Sequence, residues 1–150
     1  MKLTMYTDYS LRVLIYLASV PSSEKLVQIK DIADSYGISK NHLMKVIFHL
    51  GKLGYIETIR GRNGGLKLAI SPKEINIGNV VRNTEEDFHM VECFQDHQTC
   101  ILSPACKLKG ALHQATQAFL SVLDQYTLED LASNKEQLSS LLFERPEPST

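Results

Sequence analysis

Residues 26–56 read LVQIKDIADSYGISKNHLMKVIFHLGKLGYI, and the spacing of apolar positions in this stretch decides the fold. Ile29, Ile32 and Ala33 recur at helical intervals and make a short apolar face, after which Gly37 breaks the helix and supplies a turn. Ser39 is placed to cap a second helix whose inner face is Leu43, Val46, Ile47 and Leu50. Two short helices joined by a glycine-bearing turn are a helix-turn-helix. The outward face of the second helix holds Lys40, Asn41, His42, Lys45, His49 and Lys52. Such a face suits a nucleic-acid groove, because asparagine can read an adenine edge with two hydrogen bonds and lysine can reach guanine or phosphate. A charge stripe by itself is equally the solvated side of any globular helix, so the flanking residues have to decide.

Immediately downstream, Tyr55 to Ile59 alternates as a strand does, Arg60-Gly61-Arg62-Asn63-Gly64-Gly65 is a glycine-rich turn, and Leu66 to Ile70 alternates again. This is a two-stranded wing. Gly61, Gly64 and Gly65 let the backbone turn tightly, and they put Arg60 and Arg62 where they can enter a minor groove or neutralise phosphates. The glycines do not form a phosphate-cradling loop, since no GxxxxGK pattern is present. The expected fold class is mainly α with a small β-wing: a winged helix-turn-helix plus a long dimerisation helix. Gln28, at the entry to the first helix, joins Ser39, Lys40, Asn41, His42, Lys45, Arg60 and Arg62 as candidate DNA contacts.

Upstream, the VLIYLASV run after Lys2 has the look of an export signal, but Asp8 and Arg12 interrupt it and no convincing cleavage pattern follows. Leu11, Leu14, Ile15 and Ala18 instead predict a helix, with Thr7 or Asp8 as its cap and Pro21 just beyond its end. No apolar run approaches the length needed to cross a bilayer, so no membrane association and a cytoplasmic protein are expected. Hydrophobic residues make up 43% of the 150-residue chain, ordinary for a helix-rich protein. The net charge of -1 is unevenly distributed. Residues 1–75 carry eleven Lys/Arg and six Asp/Glu, for +5, and residues 76–150 carry five and eleven, for -6. A basic half beside an acidic half points the first half at a polyanion.

The acidic half contains CFQDHQTCILSPAC at residues 93–106, which holds all three cysteines of the chain, separated by six and then five residues. Three thiols in one loop suit a metal or cluster site lacking one protein ligand. Gaps this wide favour a loop around something larger than one ion, since compact zinc sites pair their ligands across about two to four residues. Structural zinc with His89, His97 or His113 as fourth ligand is the rival, and buried structural cysteines are the plain alternative. The odd count argues against a disulfide framework. An enzyme with a cysteine nucleophile and His97 or His89 as base lacks an orienting group, and it leaves the wing unexplained.

Beyond the wing, Ser71-Pro72 marks a break and Ile77 to Val81 predicts a short helix. Lys107 to Tyr126 predicts a long one carrying Leu108, Leu112, Ala115, Phe119, Val122 and Leu123. A helix this long outside a small wing domain commonly pairs with a twin, and one reading helix per half-site needs a two-fold partner, so a homodimer is expected. The boundaries expected are 1–75 for the winged domain, 76–143 for the cysteine loop and dimerisation helices, including a last helix near Lys135 to Phe143, and 144–150 for a disordered tail.

The order of winged helix-turn-helix, cysteine loop and long helix resembles the Rrf-type bacterial transcription regulators over nearly the whole chain, from MKLTMYTDYSLRVLIYLA onward. The resemblance implies a dimeric, non-enzymatic DNA-binding protein with a cluster held by Cys93, Cys100 and Cys106. Members that use a histidine three residues after the last cysteine are a poorer match, because Lys109 stands there. Members that sense nitric oxide can take a fourth ligand from an N-terminal aspartate donated across subunits, and Asp8 matches it. The resemblance therefore implies a 4Fe-4S repressor that releases operator DNA on nitrosylation. A 2Fe-2S cluster or zinc, in a sensor of cluster supply, redox state or metal, is the alternative.

Overall fold

A computed structural model describes residues 1–22, 24–91, 94 and 100–144. The expected tail therefore lies outside the described residues except for Glu144. Helix α1 spans Met5–Ser19 and is capped by Thr4, whose hydroxyl accepts from the Thr7 amide. The expected caps, Thr7 and Asp8, lie inside the helix instead, because Thr4 already has the extended backbone that a cap requires. Thr7 is buried, while Asp8 pairs with Arg12 one turn on. Val13, Leu14, Tyr16 and Leu17 face the core.

Helix α2, Ile29–Tyr36, ends on Gly37 at φ 66°, a left-handed value that glycine adopts without a Cβ penalty. Helix α3 follows at Lys40–Lys52 and buries Leu43, Val46, Ile47 and Leu50. Ser39 occupies its N-cap position, yet the side chain makes no capping bond. Strands β1, Ile56–Ile59, and β2, Gly65–Leu68, pair antiparallel with Ile56 opposite Leu68 and Ile59 opposite Gly65. Opposite charges at the paired positions Glu57 and Lys67 lie 3.7 Å apart. A bridge from Val27 to Leu66, with amide bonds of 2.9 and 2.8 Å in the two directions, fastens the wing to the residues leading into α2.

A 3₁₀ turn at Pro72–Glu74, capped reciprocally by Ser71 and Glu74, leads into α4 at Ile77–Thr84. The expected long helix is α5, Leu108–Leu123, shorter at its C-terminal end than periodicity suggested. Helix α6, Leu128–Leu131, has a capping box between Thr127 and Asp130, and α7 spans Lys135–Phe143. The core crosses position 75: Ile75, Ile77, Val80, Leu128 and Ala132 are buried in the same cluster as Leu14, Ile32, Leu43 and Leu50. Backbone bonds from Ile77 to Tyr126 and from Leu128 to Ile75, 3.0 and 2.9 Å, hold the chain after α5 against the start of α4. Arg82 and Asp124 close the same junction with a two-pronged ion pair at 2.5 and 2.8 Å. That guanidinium holds the Asp124 carboxyl below its usual range.

Helix α5 is different in kind. Of its sixteen residues only Thr116 and Leu120 are buried, and Leu108 and Val122 stand 60% and 52% exposed. No helix among the described residues is long and apolar enough to cross a membrane.

Candidate nucleic-acid interface and cysteine segment

Burial of Leu43, Val46, Ile47 and Leu50 fixes the roll of α3, because residues three and four apart share one side of a helix. Lys40, Asn41, His42, Lys45 and Lys52 are consequently exposed, as is Ser39 in front of them. Helix α3 contains no acidic residue. His42 and His49 lean toward α1: the His49 ring lies 5.4 Å from that of Tyr6, and the His42 ring 6.4 Å from that of Tyr9. Burial pushes the Tyr6 phenol above its ordinary pKa. Periodicity had not singled out Met44 and Phe48, which also face outward, 49% and 66% exposed. The Lys52 ammonium sits 4.6 Å from the centre of the Phe48 ring. Both positions were readable as lying outside the 43/46/47/50 stripe; being apolar, they drew no attention as surface residues.

The wing presents Arg60 and Arg62 as exposed side chains in its turn. Gly64 is required there, because a Cβ on it would run into the Ile59 carbonyl oxygen. Gln28 sits at the N-cap position of α2 and donates its Nε2 to the Gly64 carbonyl at 2.6 Å. It thus ties the wing turn to the first helix of the helix-turn-helix, and sets the Arg60 and Arg62 backbone relative to α2.

In the acidic half, Cys100 is exposed and Cys106 half-buried, both with free thiols. Turn bonds Ser103 to Cys100 and Ala105 to Leu102, 3.2 and 3.0 Å, shape the chain between them. Cys93 and His97 lie outside the described residues. His89 is next to Asp87 at 3.9 Å, and His113 packs its ring edge-on against Phe94 with centroids 6.5 Å apart. Among the described residues no three His, Cys, Asp or Glu side chains come together as a metal site within one chain. Asp8, 46% exposed, takes 3.0 and 3.2 Å hydrogen bonds from Arg12, and the Arg12 guanidinium lies 5.8 Å from the Tyr36 ring centre.

A feature that local pattern could not reveal links these regions. Glu85, directly after α4, accepts hydrogen bonds from the Thr4 amide at 3.1 Å and the Thr4 hydroxyl at 3.0 Å, and it also accepts from the Thr7 hydroxyl. A carboxylate at a helix N-terminus satisfies orphan amides and complements the helix dipole. Thr84 adds a hydroxyl contact to Thr7 at 3.1 Å. The chain entering the cysteine segment is thereby latched to the first turn of α1, next to Asp8. Beyond the latch, Met1, Leu3, Phe88, Met90, Ala115 and Phe119 line most of a groove of about 500 Å³ alongside α5. The Thr116 hydroxyl meets the Met90 sulfur at 3.1 Å across it.

The model of the Rrf2 family, described as an iron-dependent transcriptional regulator, matches residues 3–134. The chain is 64% identical over 143 residues to the HTH-type transcriptional regulator NsrR of Bacillus licheniformis, covering 95% of this chain and 99% of that one. It is 60% identical to the Bacillus subtilis protein of the same name, over 95% and 97% of the two chains. Among solved structures it is similar to the oxidized form of Staphylococcus aureus CymR, at TM-score 0.72 and 27% identity over 88% of this chain and 96% of that one. It is also similar to T. potens IscR, at TM-score 0.71 and 25% identity over 92% and 90%.

Proposed function

The chain belongs to the Rrf2 family of iron-dependent transcriptional regulators, and from that premise we propose that it is a cytoplasmic repressor whose grip on operator DNA is set by nitric oxide through a 4Fe-4S cluster. It is a DNA-binding transcription regulator of winged-helix fold and not an enzyme. The observation that carries the DNA-reading part is the acid-free outward side of α3 beside a wing turn bearing Arg60 and Arg62. Gln28, Ser39, Lys40, Asn41, His42 and Lys45 complete the proposed contact surface. Lysines and arginines supply the salt-dependent phosphate attraction, and Asn41 a base-edge contact.

Cys93, Cys100 and Cys106 are the proposed thiolate ligands, with Asp8 of a second copy as the fourth. The donor set fits: two free thiols in the described part of the segment, one exposed and one half-buried, are supporting, and soft sulfur donors suit iron. When bound, the cluster supplies iron as the reaction centre for nitric oxide. Asp8 would be the hardest and weakest donor of the four, and the iron it held would be the one least protected by soft thiolates. Asp8 cannot serve a ligand and the Arg12 guanidinium equally, and the exchange between these uses bears on the first turn of α1. That turn is held by Glu85 and touches α3 through Tyr6 with His49 and Tyr9 with His42. Movement of α1 is thus passed to the reading helix. The exposed apolar side of α5 supports a homodimer, and half-sites about one helical turn apart fix how far two reading helices can shift and still dock. Functionally, 1–75 reads DNA and supplies Asp8, while 76–143 supplies the three thiolates and the apolar side of α5 turned to the second copy.

The test is anaerobic purification with iron and sulfide analysis, followed by electrophoretic mobility shifts before and after nitric oxide. Four iron and four sulfide per chain, with operator binding lost on exposure, is expected. A zinc-loaded or 2Fe-2S protein, or equal DNA affinity in both states, overturns it. Asp8→Ala should retain DNA-binding helices yet change the cluster's absorption spectrum; an unchanged spectrum removes Asp8 from the ligand set.

A further inference from the structure

Helix α3 carries two exposed apolar side chains that neither the core nor phosphate binding explains. Asn41, Met44, Lys45 and Phe48 follow the i, i+3, i+4, i+7 spacing at which a groove-filling helix presents its base-reading side chains. Phe48 is 66% exposed, and Lys52 holds its ammonium over the ring rather than away from it. Within the major groove only thymine offers an apolar group, its C5 methyl, and phenylalanine is among the side chains that meet it. The occupant is indicated by charge: Lys40, Lys45 and Lys52 share the helix with no acid, and Arg60 and Arg62 flank it.

We propose that Phe48, with Met44 beside it, reads thymine methyl groups in each operator half-site, next to the base contacted by Asn41 or Lys45. This rests on the DNA-reading function proposed above and deepens it, assigning sequence preference to apolar contact and leaving affinity to the cations. Excluding water from one methyl makes a duplex bind about fourfold more tightly than the same duplex without it. Contacts in two half-sites multiply. Because Phe48 neutralises no phosphate, the slope of affinity against salt concentration is independent of it.

The experiment uses full-length protein purified anaerobically with the metal it carries. Duplexes are selected from a random-sequence library, and the enriched sequence is then synthesised twice, with thymine and with deoxyuridine throughout. The wild-type protein is expected to lose about fourfold or more in affinity on the deoxyuridine duplex. Phe48→Ala is expected to bind the thymine duplex as weakly as the wild type binds deoxyuridine, to lose little more on deoxyuridine, and to keep the wild-type salt slope. Phe48→Leu, still apolar, retains part of the discrimination. Equal wild-type affinity for the two duplexes overturns the proposal, as does a full methyl penalty surviving in Phe48→Ala. Enrichment of no sequence above bulk DNA is a different failure, and removes the DNA-reading function itself. The half-exposed setting of Phe48 and Met44 leaves the fold independent of them, which unchanged circular dichroism of the variants checks.

Discussion

Helices α3 and α5 are each amphipathic, yet one is finished within the chain and the other is not. In α3 every inner residue, Leu43, Val46, Ile47 and Leu50, is sunk in the core, so its exposed side is held at a defined roll and height. In α5, three residues longer by comparison of sixteen with thirteen, burial stops at Thr116 and Leu120 while Leu108 and Val122 remain open. A surface that must present base-reading atoms to a rigid groove has to be positioned by its own fold. The side of α5 proposed to meet a second copy would be positioned only when that copy arrives.

The largest expected effect breaks the first half of this contrast. Leu50→Ala removes a fully buried side chain and is expected to cost about 2–5 kcal/mol, read from denaturant unfolding. Leu108→Asp in α5 is expected to leave monomer stability nearly unchanged while shifting the protein toward monomer in sedimentation. A monomeric wild type, or equal destabilisation by both changes, would erase the distinction.

A smaller effect tests the join between the two regions. Glu85→Ala leaves the Thr4 amide and the Thr4 and Thr7 hydroxyls without their carboxylate, an expected loss of about 2 kcal/mol for hydrogen bonds to a charged group. If the latch passes movement from the cysteine segment to α3, this variant also blunts the proposed nitric-oxide response of DNA binding at unchanged iron content. A response of wild-type size would reduce Glu85 to a helix cap.

The smallest effect sharpens the view of the α1 to α2 junction beneath the reading helix. Burial pushes the Tyr36 phenol from 10.0 up to about 12, against the lowering influence of Arg12 and with a further rise from Tyr16. Its hydroxyl donates to the Arg12 carbonyl at 2.8 Å. A raised folded-state pKa means the stabilisation is complete below pH 10 and disappears as pH rises toward 12. Thermal melts should fall across that window, and less steeply in Tyr36→Phe; Tyr6 and Tyr16, raised in the same direction, account for the remainder. Identical slopes in the two proteins would show that the alkaline loss arises elsewhere.

The parts that were readable in advance share a local cause. Gly37 between two apolar stripes, and alternation on both sides of Arg60 to Gly65, are patterns within one or two turns of chain, and they gave α2, α3 and the wing, with the second strand read two residues beyond its end at Leu68. The cap of α1 was misread because Thr7 and Asp8 are as good cap residues as Thr4, and only the path of the preceding chain separates them. Helix α6 and the 3₁₀ turn escaped because four and three residues are too few for periodicity to register.

Residue order by itself determined the helix-turn-helix, the wing, the positions of the cysteines and the cation-rich side of α3, since each follows from torsional preference and from apolar spacing along a single element. Only the tertiary structure decided that the core runs through position 75, that Gln28 holds the wing turn, and that Glu85 reaches Thr4 and Thr7 across about 80 residues. Those outcomes belong to contacts between distant segments, whose energies depend on how all the buried faces fit at once, and no stretch of chain carries that information alone.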